Sequence, residues 1–220
     1  MGLPSGVQWS PVNVDVSQSN GFARSPYQYE ASFFSWGNID AHNPSSDTLF
    51  GYNWGGVNAG SPYYEGQPYG ETPGSLINAN LTAEEDAARI ICGSLWRMPT
   101  SAEFGELLEN CDYIDANGDV IGDTVTNKLI QMPAAVGGGF VVGIRLRSKL
   151  NGSILFFAAS GLGTGNLWSG QGSTGYLWSS SYASDRSCRG LYFTSSSVIA
   201  DRLSDRFYGL AIRPVMDDPA

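Results

Sequence analysis

One histidine, three cysteines and 21 acidic residues are the groups in this 220-residue chain with which acid–base, covalent or metal chemistry could begin. His42 sits in a polar loop with no Ser-His-Asp or Cys-His partner at identifiable spacing, which excludes a histidine triad and a multi-histidine metal centre. Cys188 lies between Arg186 and Arg189, whose charge would favour a nucleophilic thiolate. No base or resolving cysteine stands at identifiable spacing from it, so that chemistry lacks its second half. Cys92, Cys111 and Cys188 share no close spacing and are odd in number, which argues against both a disulfide framework and a zinc cluster; a Cys92–Cys111 pair stays open.

The run Asp115-Ala116-Asn117-Gly118-Asp119 has the residue types of a calcium loop, but its glycine falls at position 4 instead of 6 and Thr126 stands where position 12 needs Glu. Asn117-Gly118 between Tyr113-Ile114 and Val120-Ile121 instead predicts a two-residue hairpin turn. Glu84, Glu85 and Asp86 cluster where a helix starts and are expected to cap it. Neither a phosphate-cradling Gly-Lys-Ser/Thr loop nor a dinucleotide fingerprint occurs. The expectation is a chain without catalytic residues, metal or cofactor.

The elements that would position any site are short. The chain has 28 glycines, 11 prolines and 15% charged residues, against 42% hydrophobic and 12% aromatic. That composition excludes disorder and favours strands and turns over long helices. Thr82 with Glu85 and Thr100 with Glu103 each form a capping-box pair. They predict helices running to about Ile91 and to about Asn110, the second with Phe104, Leu107 and Leu108 on one face, and with Gly93 and Pro99 as stops between them. Phe140 to Arg147 alternates, with Val142, Ile144 and Leu146 opposite Arg145 and Arg147, as a half-buried strand does. Ile154–Phe157, Leu191–Phe193 and Leu210–Ile212 read as further strands. From Leu3 to Gly74 short strands and long loops are expected, with aromatic loops such as Tyr52-Asn53-Trp54 and Pro62-Tyr63-Tyr64 packed on the body.

The formal charge of −9 argues against nucleic acid or an anionic membrane as partner. No window approaches a membrane span, and Met1 to Gly6 lacks the basic and apolar regions of a signal peptide, so a soluble chain is expected.

In order, Leu3-Pro4-Ser5-Gly6, Phe34-Ser35-Trp36-Gly37, Tyr52-Asn53-Trp54, Asp86-Ala87-Ala88-Arg89, Trp96-Arg97-Met98-Pro99-Thr100, Glu103-Phe104, Phe156-Phe157-Ala158-Ala159-Ser160-Gly161, Gly175-Tyr176-Leu177-Trp178-Ser179 and Gly209-Leu210-Ala211-Ile212-Arg213-Pro214-Val215 span nearly the whole chain. Together they resemble the C-type-lectin-like proteins of Bacteroidetes surfaces and the variable proteins of diversity-generating retroelements, with formylglycine-generating enzymes as distant relatives. The resemblance implies a single α+β domain of C-type-lectin-like fold. It also implies a ligand-binding region over about residues 162–210, rewritten at template adenines.

Mutagenesis of AAC or AAT codons at their adenines yields no Lys, Glu, Gln, Met or Trp. Gly172 to Val215 contains no Lys, Glu, Gln or Met, and its one Trp, Trp178, belongs to the framework. The ligand surface expected from this reading comprises Tyr182, Ser184, Asp185, Arg186, Ser187, Cys188, Arg189, Tyr192, Ser196, Asp201, Arg202, Ser204, Asp205, Phe207 and Tyr208, with Asn166 and Trp168 at the rim. Tyr, Phe and Arg supply contact energy there, Ser and Gly adaptable hydrogen bonding. Arg206 is expected to belong to the framework instead. Calcium-dependent sugar binders of the wider family carry Glu-Pro-Asn or Gln-Pro-Asp; Gln67-Pro68-Tyr69 is the nearest approach and lacks the ion-holding carboxylate.

The function implied is adhesion to a protein or glycan receptor on a bacterial cell surface, with a bacteriophage tail receptor-binding protein as first expectation and a homotrimer allowed by the resemblance. The location would then be the virion or the bacterial cell surface. The alternatives are a surface lipoprotein or fimbrial-tip adhesin of fixed specificity, a formylglycine-generating-like oxidase using Cys188, and a virion structural protein without a ligand.

Overall fold

A computed structural model describes residues 2–29, 32–41, 79–122, 127–135, 137–164, 167–184, 187–206 and 208–217. His42, the aromatic loops at 52–54 and 62–64, Gln67-Pro68-Tyr69 and Thr126 lie outside the described residues.

The chain begins with strands β1 (Gln8–Trp9) and β2 (Phe33–Phe34), then helix α1 (Ala87–Cys92), β3 (Trp96–Arg97) and helix α2 (Ser101–Glu109). Next come β4 (Cys111–Tyr113), β5 (Ile130–Pro133), β6 (Phe140–Ser148), β7 (Ile154–Ala158), β8 (Leu162–Thr164) and β9 (Leu167–Ser169). The C-terminal part holds β10 (Gly175–Tyr182), β11 (Ser187–Phe193), β12 (Val198–Asp205), β13 (Leu210–Ala211) and β14 (Val215–Met216). Strands make up 39% of the described residues and the two helices 9%, a mixed α+β fold dominated by strands. No helix among the described residues is long and apolar enough to cross a membrane.

A five-stranded sheet in the order β12-β11-β10-β13-β2 organises the molecule; β10 and β13 run parallel and its other pairs antiparallel. A second sheet joins β4 and β5 to β6, with β7 on the other side of β6, and β14 closes a small sheet between β1 and β3. Leu177 and Trp178 are neighbours on β10 and point to opposite faces, yet both are buried, at 2% and 0% exposure. Leu177, Leu191 and Phe193 pack with Phe104 and Leu107 of α2 and Ile144, Leu146 and Phe157 of the second sheet. On the opposite face Trp178 and Cys188 pack with Phe34, Trp36, Met98 and the α1 alanines, Ala87 and Ala88. Trp178 Nε1 donates to the Phe34 carbonyl and Trp36 Nε1 to the Ser179 carbonyl, each at 2.8 Å, so neither indole is buried unsatisfied. Truncating such a tryptophan to alanine costs about 3–5 kcal/mol.

The second helix forms as its sequence dictates. Thr100 accepts from the Glu103 amide, the Glu103 carboxylate accepts from the Thr100 amide, and Asn110 closes the C-terminus. The first helix is shorter than the expected start at Thr82. The Thr82 amide and hydroxyl do donate to the Glu85 carboxylate, at 3.0 and 2.9 Å, but residues 83–85 form a turn. Asp86 is the cap: its carboxylate accepts from the Arg89 amide and, through both oxygens, from the Met98 amide. The contact with Met98, twelve residues on, fixes where the helix begins, and a local capping pattern does not contain it. Gly93, at φ 101°, ends the helix.

The acidic run is a hairpin, with a three-residue loop in place of the expected two. The Asp115 amide donates to the Asp119 carbonyl, Gly118 takes φ 97°, and the Asp115 carboxylate accepts from the Asn117 and Asp119 amides. Arg145 and Arg147, on the outer face of β6, donate to the carbonyls of Asp115, Ala116 and Gly118. Opposite alternation thus serves both faces of β6. Val142, expected on the buried face, is only half-buried, while Val141 is buried in a third small cluster with Phe156 and Ala158.

Arg213 ties the C-terminal segment into the body. It is wholly buried and donates to Asn13 Oδ1 at 2.6 Å and to the carbonyls of Pro11 at 2.7 Å, Phe156 at 3.0 Å and Ser10 at 3.3 Å. Burial draws its pKa down to about 9. Arg206, 1% exposed, lies with its guanidinium 4.8 Å from the Trp36 ring centroid, a framework position as expected.

Candidate functional site

The candidate surface is carried by β10, β11 and β12, and strand geometry decides which of its residues meet. Successive side chains on a strand face opposite sides, so a run such as Ser187-Cys188-Arg189 cannot present itself on one surface. On β11 the alternation sends Cys188 and Tyr192 to one face and Ser187 and Arg189 to the other. Gly190, between them, carries no side chain. A Cβ there would lie 2.3 Å from the Leu177 carbonyl oxygen, so the neighbouring backbone fills the space.

The register between β11 and β12 shifts between Gly190 and Tyr192: Tyr192 faces Ile199 and Gly190 faces Arg202. Leu191 therefore stands opposite two residues, Ala200 and Asp201. Unshifted pairing would place Asp201 opposite Gly190 and Arg202 opposite Arg189, on the far face. The extra residue returns Arg202 to the face of Tyr192, which is the re-aiming that bulges accomplish.

Three residues meet there. The Tyr176 and Tyr192 rings lie 4.9 Å apart at 55°, and the Arg202 guanidinium carbon is 5.2 Å from the Tyr192 ring centroid. Burial pushes the Tyr176 phenol above its usual pKa, the neighbouring Tyr192 and Tyr208 push it the same way, and Arg202 opposes them. Tyr208 thus stands close enough to act on the same phenol. The Tyr176 hydroxyl stays protonated at neutral pH, able to donate and to accept. Both rings are half-buried and Arg202 is exposed.

The remaining expected residues divide between the opposite face, turns and core. Arg189 pairs with Asp201 at 3.2 Å, and the Ser187 hydroxyl meets Asp205 Oδ1 at 3.1 Å. These four form a polar strip separate from the tyrosines. Ser184 accepts from the Ser187 amide at 2.9 Å and shapes the β10–β11 connection, while Ser196 is exposed in the turn before β12. The Tyr182 ring lies 6.4 Å from that of Trp36 and packs against the core, half-buried. The Trp168 ring, half-buried, lies 4.4 Å from that of Phe33 and packs on the main core cluster.

Two expectations are overturned by burial. Cys188 is 0% exposed within the tryptophan cluster and Ser204, its partner across the strands, is 6% exposed, so neither offers a ligand surface. Burial also pushes the Cys188 thiol up to about 12, despite the opposing charge of Arg206, where the flanking arginines had suggested a thiolate. Cys92 and Cys111 are free thiols, in place of the open pairing; Cys92 reaches the Gly21 carbonyl at 3.3 Å, and Cys111 is buried in the main cluster. Asn166, Asp185, Arg186 and Phe207 lie outside the described residues.

Sequence reasoning placed Tyr176 in the framework and did not single out Ile199. The available signal was that Tyr176 and Trp178 share a strand face two residues apart. Among the described residues no group of three or more His, Cys, Asp or Glu side chains could hold a metal ion. No family model, curated protein or solved structure matches the chain.

Proposed function

We propose that this chain is a C-type-lectin-like ligand-binding protein whose C-terminal region is diversified by a retroelement, and that it acts as a bacteriophage tail receptor-binding protein toward a molecule on a bacterial surface. One observation carries the reading. Within Gly172 to Val215, framework hydrophobic side chains are in the core, and the described exposed and half-exposed positions include Tyr, Ser, Asp and Arg and carry no Lys, Glu, Gln or Met. Leu177, Trp178, Leu191, Phe193, Leu210, Ile212 and Arg213 are 2% exposed or less, whereas Ser196, Asp201 and Arg202 are exposed and Tyr176, Tyr192 and Tyr208 half-exposed.

The physics of such a surface suits recognition. Tyrosines held by strand pairing present large amphipathic area with little rotamer entropy to lose, and an arginine held over a ring is already ordered before a ligand arrives. A core packed on both sides of the sheet lets the outer residues change without unfolding the domain.

Direct binding to cells tests the reading. Labelled protein should bind a subset of bacterial strains saturably, and replacing Tyr192 and Arg202 together by alanine should remove that binding while the chain stays folded, its unfolding midpoint lowered only by the lost Tyr176–Tyr192 packing. A protein that binds no strain in a broad panel, or that binds equally well without those side chains, contradicts it.

A further inference from the structure

Arg202 is an exposed cation on a chain with formal charge −9, and among the described residues it makes no ion pair. Arg24, also exposed, donates to Gln18 Oε1, and Arg89 to the Ser94 carbonyl. Arg189 is paired with Asp201, Arg97 with Glu103 and Asp217, Arg145 and Arg147 with hairpin carbonyls, and Arg213 is buried. The exposed guanidinium at 202 instead rests on the Tyr192 ring.

We infer that this patch binds a pyranose ring bearing an anionic group, with Arg202 on the anion and the Tyr176–Tyr192 pair beneath the ring; the inference rests on the ligand-binding reading above and names its ligand class. Charge selects the anion. An acidic protein repels anions at long range, so Arg202, which makes no ion pair among the described residues, gives affinity only to a group that reaches it at contact distance, where a fork of donors can bind two oxygens at once. Size selects the ring. Among the described residues, two tyrosines and one arginine match a single sugar unit, whereas a stable protein interface needs roughly 800 Å2 on each partner. The phenol hydroxyls add donor and acceptor tips suited to sugar hydroxyls, while the rings offer apolar faces to the sugar's C–H surface.

The test uses the full chain and saturation-transfer NMR with four probes: a galacturonic acid oligosaccharide, its methyl ester, a sulfated galactose oligosaccharide, and a glutamate peptide of equal charge. The galacturonate should bind saturably and its methyl ester about ten-fold or more weakly, as loss of a charge-assisted pair predicts. Arg202→Gln should weaken galacturonate binding by a similar factor with an unchanged unfolding midpoint. Comparable binding of the sulfated sugar identifies the anion as the recognised feature; its absence narrows the class to carboxylates, and both results support the proposal. Equal binding of acid and ester, equal binding of the glutamate peptide, or galacturonate binding indifferent to Arg202→Gln overturns it, as does binding of neither sugar. Cell binding separates the two levels. Adhesion that depends on Arg202 but is not competed by acidic sugars overturns the ligand class alone, while sugar binding without adhesion to any strain overturns the receptor-binding reading alone.

Discussion

Arg202 and Tyr192 stand on neighbouring strands with the guanidinium carbon 5.2 Å from the ring centroid, and the contact exists because Ala200 and Asp201 together face Leu191. The pair is exposed on its arginine side, so its worth to the fold is small. Arg202→Ala should lower stability by less than about 1 kcal/mol, the range for exposed cation–π contacts. Urea unfolding followed by tryptophan fluorescence measures this; a loss of several kcal/mol would make Arg202 a framework residue.

Gly190 gives the opposite expectation at the same row of the sheet. A methyl group at this position would meet the Leu177 carbonyl oxygen at 2.3 Å, and that oxygen belongs to a central strand that cannot withdraw. Gly190→Ala should destabilise by about 2–3 kcal/mol, as overpacking of a rigid site does. A thermal midpoint unchanged within a degree would show that the two strands can separate locally.

Much of this was legible in sequence, for reasons that differ by element. The Thr100–Glu103 box and the Phe104–Leu107 face are local patterns, and α2 follows them. The α1 start depends on Asp86 meeting Met98, and the site depends on a bulge in β12, both set by tertiary pairing. A list of consecutive candidate residues from Tyr182 to Arg189 could not have been one surface, because a strand divides its neighbours between two faces. Cys188 and Ser204 share the face of Tyr192 and Arg202, but they lie where the Trp178 cluster covers it, so burial and not alternation removes them from the surface.

The thiols provide a chemical check on the buried side of the sheet. Burial pushes Cys188 to about 12 and Cys111 to about 11; for Cys92 burial, aided by the Asp86 charge, gives about 12. Thiolate is the reactive form, so at pH 8 the native protein should react with an aromatic disulfide reagent far more slowly than the unfolded chain, which should release three equivalents. Fast native labelling at Cys188 would contradict the packing around Trp178 and restore a case for thiol chemistry.

Glu103 makes the acid side of the stability profile. Burial raises its pKa, but the Arg97 guanidinium at 2.6 Å and the Thr100 amide outweigh burial and hold the carboxyl below its ordinary value near 4.5. A carboxyl depressed in the folded state contributes stability that is present above the unfolded value and lost as pH falls through the folded one. Glu103→Gln should therefore cost about 1 kcal/mol at pH 7, and the difference from the parent chain should vanish as pH falls well below about 4. Asp217, held low by the same arginine, is largely exposed and should contribute little. A Glu103→Gln difference that persists at pH 3 would place the effect in packing instead of charge.

The central claim, a stable core beneath a diversified surface, is tested most directly by deep sequencing of the gene and its genomic neighbourhood in a growing population. The account predicts a near-identical repeat nearby and substitutions confined to adenines of that template. They should fall at positions such as Tyr192, Ser196, Asp201, Arg202 and Tyr208 while sparing Leu177, Trp178, Cys188, Gly190, Leu191 and Phe193. A uniform sequence with no such repeat, or substitutions spread evenly over buried and exposed positions, would contradict it.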